Sequence, residues 1–100
     1  MQAVVNSNIL TQDAIVEKLD YLLADVDNNT KNDVENTIVA MGAKVVNALV
    51  EKLRTLTGLQ RGIVAMSLIR IGESSREPLM ALATQSDEYQ WMADYLLSEI

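Results

Sequence analysis

The sequence predicts an all-α protein, a short α-α superhelix of about six helices. Three observations support this prediction. Apolar residues recur at helical spacing along most of the chain, glycine and proline are rare (four and one among 100 residues), and parts of the chain repeat at an offset of 30 residues. The aromatic content of 4% is also low for a β-sandwich of this size.

Composition narrows the chemistry that the chain can perform. The sequence contains no His and no Cys, which excludes imidazole bases, thiol nucleophiles, and zinc or iron–sulfur sites built on those ligands. The net charge of −6 argues against nucleic acid and against an anionic membrane surface, because both attract clustered Lys and Arg. We therefore expect a non-enzymatic protein with no cofactor and no metal. The lack of Cys and of a signal peptide favours a cytoplasmic location.

Residues 1–10 are expected to form a flexible tail, and residues 11–100 a single helical domain. Thr11 is suited to cap the first helix, because its hydroxyl can accept a hydrogen bond from a free N–H of the first turn. The Asp- and Asn-rich segment 25–30 predicts a loop, since these side chains compete for local backbone hydrogen bonds. The segment lacks the Gly and the distal Glu of a calcium-binding EF-hand loop. The apolar stripe of this first helix consists of Ile15, Leu19, Leu22, Leu23 and Val26.

The second and third helices are each expected to end at a glycine. Asn32 and Glu35 have the spacing of a capping box, and Gly42 should end the second helix in a positive-φ conformation. The third helix is expected to continue to Gly58. Its apolar stripe consists of Val45, Val46, Leu49, Val50, Leu53 and Leu56.

The fourth helix, residues 60–71, is apolar around almost its whole circumference, which predicts a central helix covered on several sides. Gly72 should end it. Ser74 and Glu77 then have the spacing of a capping box for the fifth helix. Asp87 should open the last helix, whose large side chains are Trp91, Met92, Tyr95, Leu96 and Ile100.

Three internal matches define a helical repeat. Gly42 and Gly72 lie 30 residues apart, and on this offset apolar positions coincide in the pairs Val34/Val64, Ile38/Leu68 and Leu49/Leu79. In addition, residues 14–19 (AIVEKL) match residues 48–53 (ALVEKL), and the end of the chain matches residues 64–71. We therefore predict that the chain consists of half a repeat unit, two full units and another half unit.

The fourth helix resembles the first helix of HEAT-like repeats of the phycobilisome-lyase type. The matching positions are Arg61, Ala65, Leu68, Arg70, Ile71 and Gly72. Pro78 and Leu79 match the second helix of such a repeat, whereas the unit at residues 33–56 lacks the Arg and the Pro. The resemblance covers residues 32–100 and implies a right-handed α-α superhelix, a HEAT-like solenoid. Such repeats occur in scaffolds, lyase subunits and metalloenzymes, so the resemblance specifies the fold better than the function.

Candidate partner-binding residues fall into two groups. The resemblance implies that the second helix of each unit lines a concave binding face. Its candidates, which we call the second-helix group, are Lys44, Asn47, Glu51, Lys52, Arg54 and Arg76. The other candidates are Trp91 and Tyr95, because Trp and Tyr anchor interfaces; the alternative is that both pack against the fifth helix. We expect Arg61 to pair with Asp33 or Glu35 between repeats, and Arg70 to be solvated.

These features predict a protein-protein interaction module or adaptor whose partner is another protein. The sequence ends without a polar capping repeat, so apolar surface on the terminal helices could also support a homodimer. The family resemblance implies a further alternative, an accessory or regulatory factor for bilin attachment or phycobilisome turnover.

Overall fold

The computed structural model describes residues 11–100, so the predicted tail at residues 1–10 lies outside the described part. Within this range the chain is all-α, as predicted, and contains no strand. The α-helices are α1 (Gln12–Ala24), α2 (Lys31–Met41), α3 (Val46–Leu53), α4 (Gly58–Ile71), α5 (Arg76–Ala83) and α6 (Asp87–Glu99). Short 3-10 helices at Gly42–Val45 and Gly72–Ser75 join α2 directly to α3 and α4 directly to α5.

Two glycines turn the chain between the helices of each pair. Gly42 has φ 72° and ψ −153°, and Gly72 has φ 87° and ψ −131°, in a region that side chains with a Cβ rarely enter. The N–H of Gly42 donates to the carbonyl of Val39, and the N–H of Gly72 donates to that of Leu68. The prediction that both glycines end helices is confirmed, as is the positive φ predicted for Gly42; Gly72 has a positive φ as well.

Only one of the three helix caps predicted in this part of the chain is present in the structure. The hydroxyl of Thr11 accepts a hydrogen bond from the N–H of Ala14 at 3.1 Å, which confirms this cap. The capping box expected at Asn32 was wrong, because α2 begins at Lys31 and has no side-chain cap. The capping box expected at Ser74 was also wrong. A 3-10 turn leads straight into α5, and the N–H of its first residue, Arg76, donates to the carbonyl of Glu73 within that turn.

The third helix ends earlier than expected, whereas the last helix starts at the expected residue. The prediction that Gly58 ends the third helix was wrong: α3 ends at Leu53, and Gly58 is the first residue of α4. The N–H groups of Arg54 and Thr55 donate to carbonyls three residues back, which tightens the last turn. The last helix begins at Asp87, as predicted, and its cap is Ser86, whose hydroxyl accepts a hydrogen bond from the N–H of Tyr89 at 3.2 Å.

The loop between α1 and α2 is built around Asp27. Its carboxylate accepts hydrogen bonds from the N–H groups of Asn29 at 2.9 Å and of Thr30 at 3.0 Å. The hydroxyl of Thr30 accepts in return from the N–H of Asp27 at 3.0 Å. The predicted loop at residues 25–30 is thus confirmed, and it uses the side-chain hydrogen bonding that Asp and Thr favour in turns.

We predict that the carboxyl group of Asp27 titrates below the ordinary pKa of an aspartate. Hydrogen bonds from the Thr30 and Asn29 N–H groups and the Thr30 hydroxyl lower this pKa, because they stabilise the charged form. The loop is therefore stabilised at neutral pH, and this contribution is lost as the pH falls through the lowered pKa. An NMR pH titration of the Asp27 carboxyl carbon measures it. Thr30→Val should raise the pKa, and an unperturbed value in the native chain would contradict the prediction.

The helices form two rows with the core between them. In the first row α2 packs on α4 and α4 on α6; in the second, α1 packs on α3 and α3 on α5. Contacts of α3 with α4 and of α5 with α6 join the rows. The burial pattern repeats at the 30-residue offset, because the pairs Ile38/Leu68, Val45/Ser75 and Leu49/Leu79 are all fully buried.

The buried serines are accommodated by local hydrogen bonds. Ser75 occupies the position that Val45 has in the first unit, and its hydroxyl donates to the carbonyl of Leu68 at 2.8 Å. The hydroxyl of Ser67 donates to the carbonyl of Ile63 at 2.7 Å. Because burial of an unpaired hydroxyl is unfavourable, these bonds explain how the core tolerates two polar side chains, one within α4 and one in the turn that follows it.

Candidate protein-interaction site

Most cations of the second-helix group already have partners within the chain. Lys52 forms an ion pair with Asp20 of α1, and its side chain is only 19% exposed. Arg76 pairs with Glu73 at 2.9 Å. Lys44 and Asn47 are exposed to solvent. A partner that bound Lys52 or Arg76 would therefore have to replace an existing interaction.

Arg54 links α3 to α6. Its guanidinium lies 3.4 Å from the carboxylate of Glu51, within the second-helix group, and 5.7 Å from the centre of the Tyr89 ring. A cation at this distance from an aromatic ring is attracted to its face. Arg54 therefore takes part in packing the last helix onto the second row.

The ion pair expected of Arg61 is formed by Arg70, the other arginine of α4, which is exposed as expected. The expected pairing of Arg61 with Asp33 or Glu35 was wrong: Arg70 donates to Glu35 at 2.8 Å and to the side-chain oxygen of Asn36 at 2.9 Å. Nine residues separate the arginines, about two and a half helical turns, so they lie on opposite faces of α4. Arg70 faces α2, whereas Arg61 faces α6.

A groove with a cavity volume of about 420 Å³ lies between α4 and α6. Its floor is apolar, and the wall formed by α4 is low because small residues line it. The floor and the α4 wall include Leu53, Met92, Leu96, Gly58, Gly62 and Ala65. Arg61 and Glu88 line opposite walls, and neither belongs to the ion pairs found within residues 11–100. The groove is thus open and apolar, with one positive side chain, Arg61, and one negative side chain, Glu88, at its rim.

Trp91 and Tyr95 form the aromatic rim of this α4–α6 groove. Their exposed fractions are 74% and 58%, so the alternative of core packing against the fifth helix was wrong for both. Together with Glu88 they occupy positions i, i+3 and i+7 of α6, which places them on one stripe facing α4. Exposed Trp and Tyr supply large contact areas and are enriched among the residues that dominate binding energies.

Gly62 lies at the centre of the exposed surface of the first row. It lines the α4–α6 groove and also a second cavity of about 280 Å³ between α2 and α4. A Cβ built on Gly62 would meet no atom within 4 Å, so no internal contact requires glycine there. Nearby, Met66 is 47% exposed. Sequence reasoning missed this surface, although a glycine inside an otherwise apolar helix was its signal.

Comparisons of the chain with known protein families, curated proteins and solved structures found no match. No helix within the described range 11–100 is both long enough and apolar enough to cross a bilayer. Across the same residues no three carboxylates come together in a way that could hold a metal ion. The function proposed below is therefore argued from the residues that line the α4–α6 groove.

Proposed function

We propose that the protein is a non-enzymatic interaction module of the cytoplasm that binds another protein in the α4–α6 groove. The observation that carries this proposal is the exposure of Trp91 and Tyr95 on the rim of an apolar groove. Burying the exposed part of one Trp side chain contributes roughly 3 kcal/mol to association. Two adjacent aromatic side chains can thus anchor a partner.

We infer further that the two rows form a short right-handed HEAT-like solenoid. The 30-residue repeat, the paired glycine breaks and the alternation of helices between rows support this inference. In such an array each unit contacts only its neighbours, so the rows present long side surfaces. The α4–α6 groove lies between neighbouring helices of one row, which is where a rigid binding surface can form.

The second-helix group is the less favoured binding surface. Lys52, Arg54 and Arg76 are engaged in internal ion pairs, whereas the aromatic residues of the α4–α6 groove remain exposed. Lys52→Glu would also be a poor probe, because it would place a second carboxylate beside Asp20 and change stability. Lys44→Glu tests this surface with less disturbance, since Lys44 is exposed.

We predict that Trp91→Ala and Tyr95→Ala each reduce capture of the partner at least tenfold, as expected of interface anchors. The intact chain and its variants are immobilised, exposed to lysate of the native host, and the captured proteins are quantified by mass spectrometry. Tyr21→Ala is the matched control, because Tyr21 is 82% exposed on α1, outside the groove. Thermal melting verifies that each variant is folded. Equal capture by the Trp91 and Tyr21 variants would contradict the proposal.

A further inference from the structure

The helix that carries the aromatic rim is strongly acidic. Within α6, Asp87, Glu88, Asp94 and Glu99 are all exposed, and the helix contains no Lys or Arg. The whole chain has a net charge of −6, so α6 contributes most of the imbalance. Of these carboxylates Glu88 lines the α4–α6 groove itself, and the other three add to the negative potential around α6, whereas the floor of the groove is apolar.

We propose that the occupant of the α4–α6 groove is a basic amphipathic helix of another protein. This inference rests on the proposed function and specifies the chemistry of the partner. Apolar side chains of the docked helix fill the groove, and Lys or Arg on its flank face the carboxylates of α6. A docked cation also gains from the exposed face of Trp91.

The shape of the α4 wall fits a helix. Gly58, Gly62 and Ala65 lie at i, i+4 and i+7 on α4, so the surface there is nearly bare backbone. The stretch from Gly58 to Ala65 spans about 10 Å, or two helical turns, because each residue rises about 1.5 Å. Apolar anchors at i, i+4 and i+7 of a partner helix match this length.

Charge favours this occupant over a second copy of the chain. A symmetric dimer through the α4–α6 groove would bring together two chains that each carry a net charge of −6, and among residues 11–100 Arg61 is the only cation that lines the groove. Like charges placed across an interface are unfavourable. Arg61 lies on the α4 wall, so we expect the basic residues of the partner on the side that faces α6.

Trp91 makes the proposal directly measurable, because it is the only Trp of the chain. The probe is a synthetic 15-residue helical peptide with Leu at i, i+4, i+7 and i+11 and Lys at the flanking positions. Two matched peptides replace every Lys by Glu, or scramble the order of the basic peptide. We expect the basic peptide to shift Trp91 fluorescence to shorter wavelength and to bind at least tenfold more tightly than either control, with an affinity that falls as salt is added.

Two variants connect this binding to the α4–α6 groove. Gly62→Gln introduces a better helix former and covers the exposed backbone of α4 with a side chain, so we expect at least a tenfold loss of affinity from a folded protein. Glu88→Gln should reduce both the affinity and its salt dependence. Met80→Gln is the control, because Met80 is exposed on α5 and does not line the groove. A basic peptide that binds no better than its Glu or scrambled counterpart would overturn the proposal, as would binding unaffected by Gly62→Gln.

The same measurements separate this inference from the proposed function. If Trp91→Ala abolishes capture of a natural partner while the basic peptide does not bind, the groove is an interaction site for another kind of partner. Sedimentation of the free chain as a dimer that Trp91→Ala dissociates would identify a second copy as the occupant and overturn the basic-helix proposal. If Trp91→Ala leaves capture unchanged, the proposed function itself is wrong.

Discussion

Leu68→Ala is expected to lower the free energy of unfolding by about 3 kcal/mol, within the range of large-to-small substitutions at buried positions. Leu68 is fully buried in α4, the middle helix of the first row. Removing its side chain leaves a cavity between the rows, and neighbouring helices held by short 3-10 turns have little freedom to close it. The carbonyl of the same residue accepts hydrogen bonds from Gly72 and Ser75, so a shift of the backbone would be costly as well.

The loss is a large share of the total stability. A domain of this size is typically stable by about 5–15 kcal/mol, so a change of about 3 kcal/mol is readily measured by urea unfolding followed by circular dichroism. Met66→Ala is the matched control, because Met66 lies on the same helix and is half-exposed. It should cost less than about 1 kcal/mol. Equal losses of stability at the two positions would show that Leu68 does not pack in the core between α4 and the second row.

The local features of the fold could be predicted from sequence because they depend on neighbouring residues. Thr11 caps a helix through the residue three positions later, and Gly42 and Gly72 turn the backbone by their own conformational freedom. The capping boxes at Asn32 and Ser74 failed for a reason that lies outside the local pattern. A capping box requires free N–H groups at the helix start, and the chain enters α5 already in a helical turn.

The candidate site was only partly predictable because it depends on which helix faces meet. The sequence identified Trp91 and Tyr95 as large aromatic side chains, but their exposure is decided by how α6 packs against α4 and α5. In the same way, Arg61 and Arg70 offer identical chemistry, and only the packing of α2 against α4 assigns Glu35 to Arg70. Glu88 was visible in the sequence, although nothing in its local pattern placed it beside an apolar groove.

Gly72→Ala is expected to destabilise the fold by about 2 kcal/mol, because a Cβ at φ 87° and ψ −131° is strained whatever space surrounds it. Gly62→Ala is the matched substitution inside α4, the helix that Gly72 ends, and its effect on stability should have the opposite sign. Gly62 lies within α4, and Ala is favoured over Gly in a helix by about 1 kcal/mol. Thermal and urea unfolding of both variants measure the contrast. Destabilisation by both would indicate that Gly62 also meets a constraint inside the fold.

The contrast between these two glycines bears on the interaction surface. Glycine at position 72 is required by the path of the backbone, whereas at position 62 it lowers the stability of α4 with no internal contact in return. A stabilising Gly62→Ala would therefore mean that the chain carries a suboptimal helix residue at a place that lines both the α4–α6 groove and the cavity between α2 and α4. Close approach of another backbone is the physical reason for glycine at such a position. The stabilisation by Gly62→Ala and the loss of peptide binding in Gly62→Gln would then have a common cause: a glycine keeps the backbone of α4 exposed in the α4–α6 groove.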